Sequence, residues 1–330
     1  FLSKGVRIHE YGGPDVLRYE DVEVGDPGPG EVLIEHLAIG LNYADIHTRS
    51  GRYPLPYLPQ IIGGEACGII RKLGPGVSEF SPGDRVAYSN GGHALSRGSY
   101  CQERVLKAER LIRLPDQVDN ETAAAIITKG LTTHYLIHDS YKLTAEDTIL
   151  VHAAAGGVGM ILCQWARTFG AYVIGVVGSK GKASFAKNHG CHEVIINGAE
   201  DVAKVAHTLT GGEGVSVVFD SVGADSFEAS LNALRPHGTL VTFGSASGPI
   251  PPFDIFRLNE LGSLRITSGA FYWHMRTRQE ILARAKDVMD IVLGGAVKIE
   301  INQRFDLAEA AKAHYLMETR STTGIRVLIP

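Results

Sequence analysis

The run Thr148-Ile149-Leu150-Val151-His152 leads into Ala153-Ala154-Ala155-Gly156-Gly157-Val158-Gly159 and then into a segment ending at Gly170. Val158, Ile161, Leu162, Trp165, Ala166 and Phe169 recur there at the spacing that builds one apolar helical stripe. A second apolar run, Tyr172 to Val177, follows. Strand, glycine turn, amphipathic helix and strand make a βαβ unit, which commits this part of the chain to a parallel sheet covered by helices. Gly156 and Gly159 allow a sharp turn and a close backbone approach to a pyrophosphate, whose charge is favoured by unpaired amides and the dipole at a helix start. Gly159 also suits tight packing of helix on strand. A glycine-rich turn alone can merely join two elements; the order of elements around this one argues for a dinucleotide.

The apolar runs 148–153, 172–177, 193–196, 215–220, 239–243 and 264–268 read as six strands, enough for a doubly wound sheet. After the second strand the chain reads Gly178-Ser179-Lys180-Gly181-Lys182, where a site for NADH would carry a carboxylate to meet the ribose hydroxyls. A hydroxyl and two cations suit a 2′-phosphate, so NADPH is expected; the alternative is that Lys180 and Lys182 are solvated at a helix start. The first third differs in texture. Short apolar segments lie between turn sequences such as Asp26-Pro27-Gly28-Pro29-Gly30 and Pro82-Gly83-Asp84, which predicts a β-rich domain. Beyond residue 269 a helix is expected over 274–293, a strand over 297–301, a helix near 307–319 and a last strand over 324–329, a tail that returns to the first domain.

At 330 residues two domains are expected, one inserted into the other. The 32 basic and 36 acidic residues are interspersed and sum to −4, which argues against nucleic acid and against an anionic membrane as partners. Cys67, Cys101, Cys163 and Cys191 stand far apart and read as free thiols of a reducing compartment. A cytoplasmic location is expected, and the start at Phe1 leaves open a removed organellar targeting segment.

Further runs carry a resemblance. Gly40-Leu41-Asn42-Tyr43-Ala44-Asp45, Ser50-Gly51-Arg52-Tyr53-Pro54, Gly63-Gly64-Glu65-Ala66-Cys67-Gly68, Gly98-Ser99-Tyr100, Lys129-Gly130-Leu131-Thr132, Phe219-Asp220-Ser221-Val222-Gly223 and Phe243-Gly244-Ser245 stand in the order and at the spacings of the ζ-crystallin-like quinone oxidoreductases. These are zinc-free members of the medium-chain dehydrogenase/reductase superfamily. The resemblance spans essentially the whole chain. It implies an α/β architecture with a GroES-like β-rich catalytic domain from residues 1–125 and 269–330, a Rossmann doubly wound domain over 126–268, NADPH as hydride donor, and a homodimer. Zinc enzymes of the superfamily place Cys where Asn42 stands and His where Gly64 stands, so no catalytic zinc is expected. A metal site from His47, His93 or His134 is the weaker alternative.

By resemblance, Gly156, Gly157, Val158 and Gly159 hold the pyrophosphate, Ser179 and Lys182 the 2′-phosphate, and Phe243, Gly244 and Ser245 the adenosine or ribose side. Asn42, Lys129, Thr132, Ser221, Val222, Gly223 and Phe271 are expected near the nicotinamide side, and Arg320 near the cofactor. Tyr53 is the candidate catalytic donor, or else a pocket wall against an aromatic substrate; Asn42 and Asp45 orient substrate or cofactor. His47 and Asn197 stand where some bacterial relatives carry tyrosines. The implied reaction is NADPH-dependent reduction of a quinone or conjugated carbonyl. An enoyl or alkenal reductase is the near alternative, and a crystallin-like or RNA-binding protein the alternative from another class.

Overall fold

Apart from one parallel pair formed by the last two strands, parallel and antiparallel pairing separate along the chain in the computed structural model, which describes residues 1–90 and 98–330. In chain order, β1 (Leu2–Ile8), β2 (Leu17–Glu23), β3 (Glu31–Gly40), the short helix α1 (Tyr43–Arg49), β4 (Gln60–Ile61), β5 (Glu65–Leu73), β6 (Arg85–Ser89), β7 (Glu103–Lys107) and β8 (Ile112–Arg113) precede α2 (Asn120–Tyr135). Strands and helices then alternate: β9 (Thr148–Val151), α3 (Gly157–Thr168), β10 (Tyr172–Val177), α4 (Ala183–Asn188), β11 (Glu193–Ile196), α5 (Val202–Leu209), β12 (Val215–Asp220), α6 (Phe227–Ala233), β13 (Leu234–Thr242), α7 (Arg257–Glu260), β14 (Arg265–Ser268) and α8 (Phe271–His274). The tail holds α9 (Arg278–Leu293), β15 (Ile301–Asp306), α10 (Ala310–Glu318) and β16 (Ile325–Ile329).

The chain divides into two units: 1–131 with 275–293 and 299–330, and 132–274 with 294–298. In the first, β3 is central, paired antiparallel with β5, β7 and β16, and the sheet runs β15-β16-β3-β5-β6-β8. Its core gathers Val6, Ile8, Ile34, Ile39, Ile61, Tyr88 and Leu328 from nearly every strand. One buried polar chain crosses it. Arg104 donates to the Tyr88 hydroxyl at 3.0 Å, Tyr88 lies 3.0 Å from His36 Nε2, and His36 Nδ1 lies 2.6 Å from the Cys101 carbonyl. A carbonyl only accepts, so Nδ1 carries the proton and Nε2 accepts from Tyr88. Burial, above the opposing Cys101 bond, holds His36 neutral down to about 4.

The second unit is a six-stranded parallel sheet in the order β11-β10-β9-β12-β13-β14. Leu150, Ile174, Val218 and Leu240 form its buried centre with Phe227 and Leu231 of α6 packed on them. The order reverses between β9 and β12, and at such a switch point the carboxyl ends of the strands open a crevice for a ligand. No helix of the described residues is long and apolar enough to cross a membrane.

Two expected strands change. Strand β13 begins at Leu234, five residues before the sequence suggests, because Leu234 pairs with Val215 and the next pair is Thr239 with Val217, leaving Arg235 to Gly238 bulged out of the ladder. Residues 297–300 are not strand. There the side-chain amide of Gln164 donates to the Lys298 carbonyl and accepts from the Lys298 amide, each at 2.9 Å, and so takes the place of a strand partner.

Candidate active and cofactor sites

Asn42 caps α1 from an extended backbone conformation, and the cap is reciprocal: its side chain accepts from the Asp45 amide while Asp45 Oδ2 accepts from the Asn42 amide at 2.9 Å. With the oxygen committed to the helix, the Asn42 Nδ2 faces outward and donates to Glu65 Oε1 at 2.7 Å. Glu65 opens β5 and pairs in register with Gly40 at the end of β3. A Cβ at residue 40 would overlap the Glu65 carboxylate and the Ala124 carbonyl, so only glycine lets this carboxylate lie across the strand. Glu65 is fully buried, and both of its oxygens are engaged: Lys129 Nζ donates to Oε1 at 2.7 Å and the Thr128 amide to Oε2 at 2.7 Å. An ion pair this deep stands when further hydrogen bonds support the charge, as the Asn42 and Thr128 donors do here.

A second buried chain reaches Asp45. Arg49 is paired with Glu318 through two bonds, 2.7 and 3.1 Å, and its NH1 lies 3.2 Å from His314 Nδ1. Guanidinium only donates, so His314 Nδ1 accepts and Nε2 carries the proton toward the Tyr100 hydroxyl at 2.9 Å. Tyr100 in turn donates to Asp45 Oδ2 at 3.0 Å. From Arg49 through His314 and Tyr100, each bond points toward the Asp45 carboxyl. Burial pushes that carboxyl up to about 7 against the opposing pull of the Asn42 amide and the Tyr100 hydroxyl. Burial also lowers His314 to about 3, with the Arg49 charge adding to it.

Tyr53 stands differently. It is 40% exposed, and its hydroxyl makes no hydrogen bond with the described residues. Its ring meets His47 edge-on at 5.1 Å, and His47 meets Tyr43 at 5.3 Å, so His47 fills a space between two phenols. Burial and the Arg52 charge hold His47 neutral down to about 4.

In the second unit the glycine turn sits at the carboxyl end of β9. Gly156 is the N-cap of α3 and no side chain caps that helix, so the amides of its first turn are presented unfilled by the chain itself. A Cβ on Gly159 would overlap the Ala153 carbonyl and press on the Ala154 Cα, so Gly159 is needed for the helix to approach the turn. Val222 and Gly223 follow β12, and their amides donate to Asp220 Oδ1 at 2.8 and 3.2 Å. The segment after β13 straps onto them, with the Ala246 amide on the Ser221 carbonyl at 3.2 Å and the Ser247 amide on the Val222 carbonyl at 2.8 Å. Ser179 and Lys182 lie just beyond the carboxyl end of β10, Ser179 exposed and Lys182 half-buried.

The parallel sheet therefore brings Gly156, Gly157, Val158, Gly159, Ser179, Lys182, Ser221, Val222, Gly223, Phe243, Gly244 and Ser245 to one edge, and Phe271 follows β14 at that same edge. Unfilled amides beside glycine, with a hydroxyl and a cation one strand away, are a donor set that fits a phosphorylated dinucleotide. Thr132 lies half-buried in the part of α2 that belongs to the second unit. Asn42, Asp45 and Lys129 are gathered in the first unit around Glu65. Arg320 belongs to the first unit too, exposed and at φ +51° just past α10.

Sequence reasoning quoted Glu65 only as part of a motif and missed Arg49, Tyr100 and His314 as partners of Asp45. Of the histidines weighed as metal ligands, His134 packs edge-on against Trp165 and His93 lies outside the described residues. Among the described residues no three His, Cys, Asp or Glu side chains converge on a point that suits a metal.

Residues 28–116 match the family described as alcohol dehydrogenase GroES-like domain, and residues 157–287 the family described as zinc-binding dehydrogenase. Over its full length and that of the relative, the chain is 45% identical to a quinone oxidoreductase of Pseudomonas aeruginosa. It is 41% identical to a 2-haloacrylate reductase of a Burkholderia species, covering 98% of each. The crystal structure of Escherichia coli quinone oxidoreductase complexed with NADPH superimposes with a TM-score of 0.95 at 38% identity, over 99% of this chain and 100% of that one. With Asn42 and Gly64 at the positions where the zinc enzymes carry ligands, the chain belongs to the zinc-free quinone oxidoreductase family of the medium-chain dehydrogenase/reductase superfamily.

Proposed function

We propose that the chain reduces quinones and conjugated carbonyl compounds with NADPH and without zinc. One observation carries the reading: the buried Glu65 carboxylate, next in sequence to Gly64, is neutralised by the chain's own Lys129 ammonium and oriented by Asn42. NADPH, when bound, supplies the hydride. The α3 amides with Gly156 to Gly159 hold its pyrophosphate, Ser179 and Lys182 its 2′-phosphate, and Phe243 to Ser245 its adenosine or ribose side. Asn42, Lys129, Thr132, Ser221 to Gly223 and Phe271 orient the reacting groups, with Arg320 a further cofactor contact. Asp45 acts through Asn42, whose cap it completes. Tyr53 offers an exposed phenol to the acceptor oxygen, where charge develops as hydride arrives. The first unit is accordingly the catalytic domain and the second the cofactor domain.

A second reading, an enoyl-type reductase, is favoured by the 41% identity to a 2-haloacrylate reductase. The deciding experiment follows NADPH oxidation by absorbance, with chelator present and NADH as control, against ortho-quinones, para-quinones and enones. Chelator-resistant turnover of quinones with NADPH is expected. Inert quinones alongside rapid enones would replace the first reading with the second, and NADPH binding without turnover would defeat both.

A homodimer and a cytoplasmic location complete the proposal. Strand β14 ends the parallel sheet with no further strand beyond it among the described residues, and in the same unit Ile255 and Phe256 are each 67% exposed. All four cysteines are free, which suits a reducing compartment. Sedimentation equilibrium tests the dimer.

A further inference from the structure

Beneath the glycine turn lies a histidine, a serine and an aspartate in contact, all of them sealed from solvent. His152 directly follows β9, Asp220 ends β12, and Ser230 sits in α6; they are 3%, 2% and 0% exposed. Ser230 Oγ lies 2.6 Å from Asp220 Oδ2 and 2.9 Å from His152 Nε2. A hydroxyl has one proton, and the carboxylate accepts it, so the imidazole must donate to the serine oxygen. This polarity is the reverse of a nucleophilic triad, in which serine gives its proton to histidine and histidine leans on the aspartate. The group is therefore not a hydrolytic site, and its burial agrees.

Its connections show what it joins. Asp220 Oδ1 accepts from the Val222 and Gly223 amides at 2.8 and 3.2 Å and from Ser226 Oγ at 2.8 Å, so one carboxylate sets the turn after β12. Gly223, at φ +96°, lies close against Gly248 and Ser245 of the next segment. On the other side, His152 is bonded through its amide to the Phe219 carbonyl at 3.0 Å, and the next residue, Ala153 at φ +52°, starts the glycine turn. Strands β9 and β12 are the pair across which the sheet order reverses. A dinucleotide laid over that point must touch both turns at once.

We propose that His152, Ser230 and Asp220 are positioning residues for NADPH, a buried strut that fixes the spacing between the glycine turn and the Val222–Gly223 turn before the cofactor arrives. The inference rests on the NADPH reading above. A preset spacing matters to a ligand that bridges the two turns and not to one that occupies a single side. Adenosine 2′,5′-bisphosphate, which lacks the pyrophosphate bridge and the nicotinamide, is the one-sided probe.

The test titrates the full chain and its Ser230→Ala variant with NADPH and with adenosine 2′,5′-bisphosphate by calorimetry, with thermal unfolding recorded for both proteins. The expected result is NADPH binding weakened about tenfold and unchanged affinity for the bisphosphate. Equal weakening of both ligands would reduce the strut to general packing, and unchanged NADPH affinity would remove it. Asp220→Asn provides the second variant and is expected to show the same selectivity with a larger loss. If the unmutated chain binds the bisphosphate but not NADPH, the cofactor reading itself fails, an outcome separate from any difference between variants.

Discussion

Asn42 and Lys129 donate to one and the same oxygen, Oε1 of Glu65, each at 2.7 Å. The two residues are brought from α1 and α2 onto a carboxylate with no access to water. Removing the ammonium leaves that carboxylate with uncharged donors only. Lys129→Met is therefore expected to cost about 3–5 kcal/mol in urea unfolding, and Lys129→Met combined with Glu65→Gln to recover part of it. Additive losses in that cycle would show the pair to be uncoupled.

Asp45 offers a pH signature. Its carboxyl is pushed up to about 7 by burial, and the Tyr100 hydroxyl is one of two donors that favour the charged form. The charged form also completes the Asn42 cap, so kcat/KM is expected to fall on the acid side of an inflection near 7. Loss of the Tyr100 donor raises the carboxyl further. In Tyr100→Phe the inflection therefore moves to higher pH, and a profile superimposable on that of the unmutated enzyme would remove Asp45 from the argument.

Acid stability follows from three histidines held neutral, His36 and His47 to about 4 and His314 to about 3. All three lie below the ordinary 6.5, so as pH falls beneath that value the unfolded chain takes up protons that the folded chain refuses. Each then removes about 1.4 kcal/mol of stability per pH unit. Asp45 works in the opposite sense over roughly pH 4 to 7, where the folded chain holds a proton the unfolded chain has released. Three against one leaves a net loss of about 2.8 kcal/mol per unit between about pH 6 and 5. Urea titrations should show that slope, and His36→Gln should remove about half of it.

The Tyr53 hydroxyl makes no hydrogen bond with the described residues that its loss would break, and the residue is 40% open to solvent. Tyr53→Phe is expected to leave unfolding within about 0.5 kcal/mol of the parent. The donor role proposed for Tyr53 predicts that its removal lowers kcat by about a hundredfold at little cost in KM. Undiminished turnover in that variant would assign the ring to the pocket wall.

The parallel sheet was legible because a buried strand, a glycine turn and a helical stripe are local patterns, each contained in a dozen residues. Runs such as Tyr172 to Val177 begin and end in the structure where their apolar residues do. Where a distant group intervened, the local pattern misled. Val297 to Glu300 alternates like a strand, yet Gln164 occupies the Lys298 backbone from 134 residues away. The same holds for the polar chains. Arg49 meets His314 across 265 residues and Tyr100 meets His314 across 214, and neither spacing leaves a trace in any window of sequence. Asn42 and Asp45 could be singled out by motif, but not that one caps the other, nor that Glu65 is the acceptor that orients the amide.

The pairing of Glu65 with Lys129 also bears on what substitution could turn this place into a metal site. Cys at 42 and His at 64 would supply two ligands yet leave Lys129 bonded to the carboxylate that follows residue 64. A divalent ion placed there would meet a resident cation, and the two would repel across a dry site. Replacing the lysine first strands a buried negative charge, and installing the ligands first gains nothing while the lysine stays. One ammonium thus stands between this carboxylate and a metal, and two new ligands alone would not displace it.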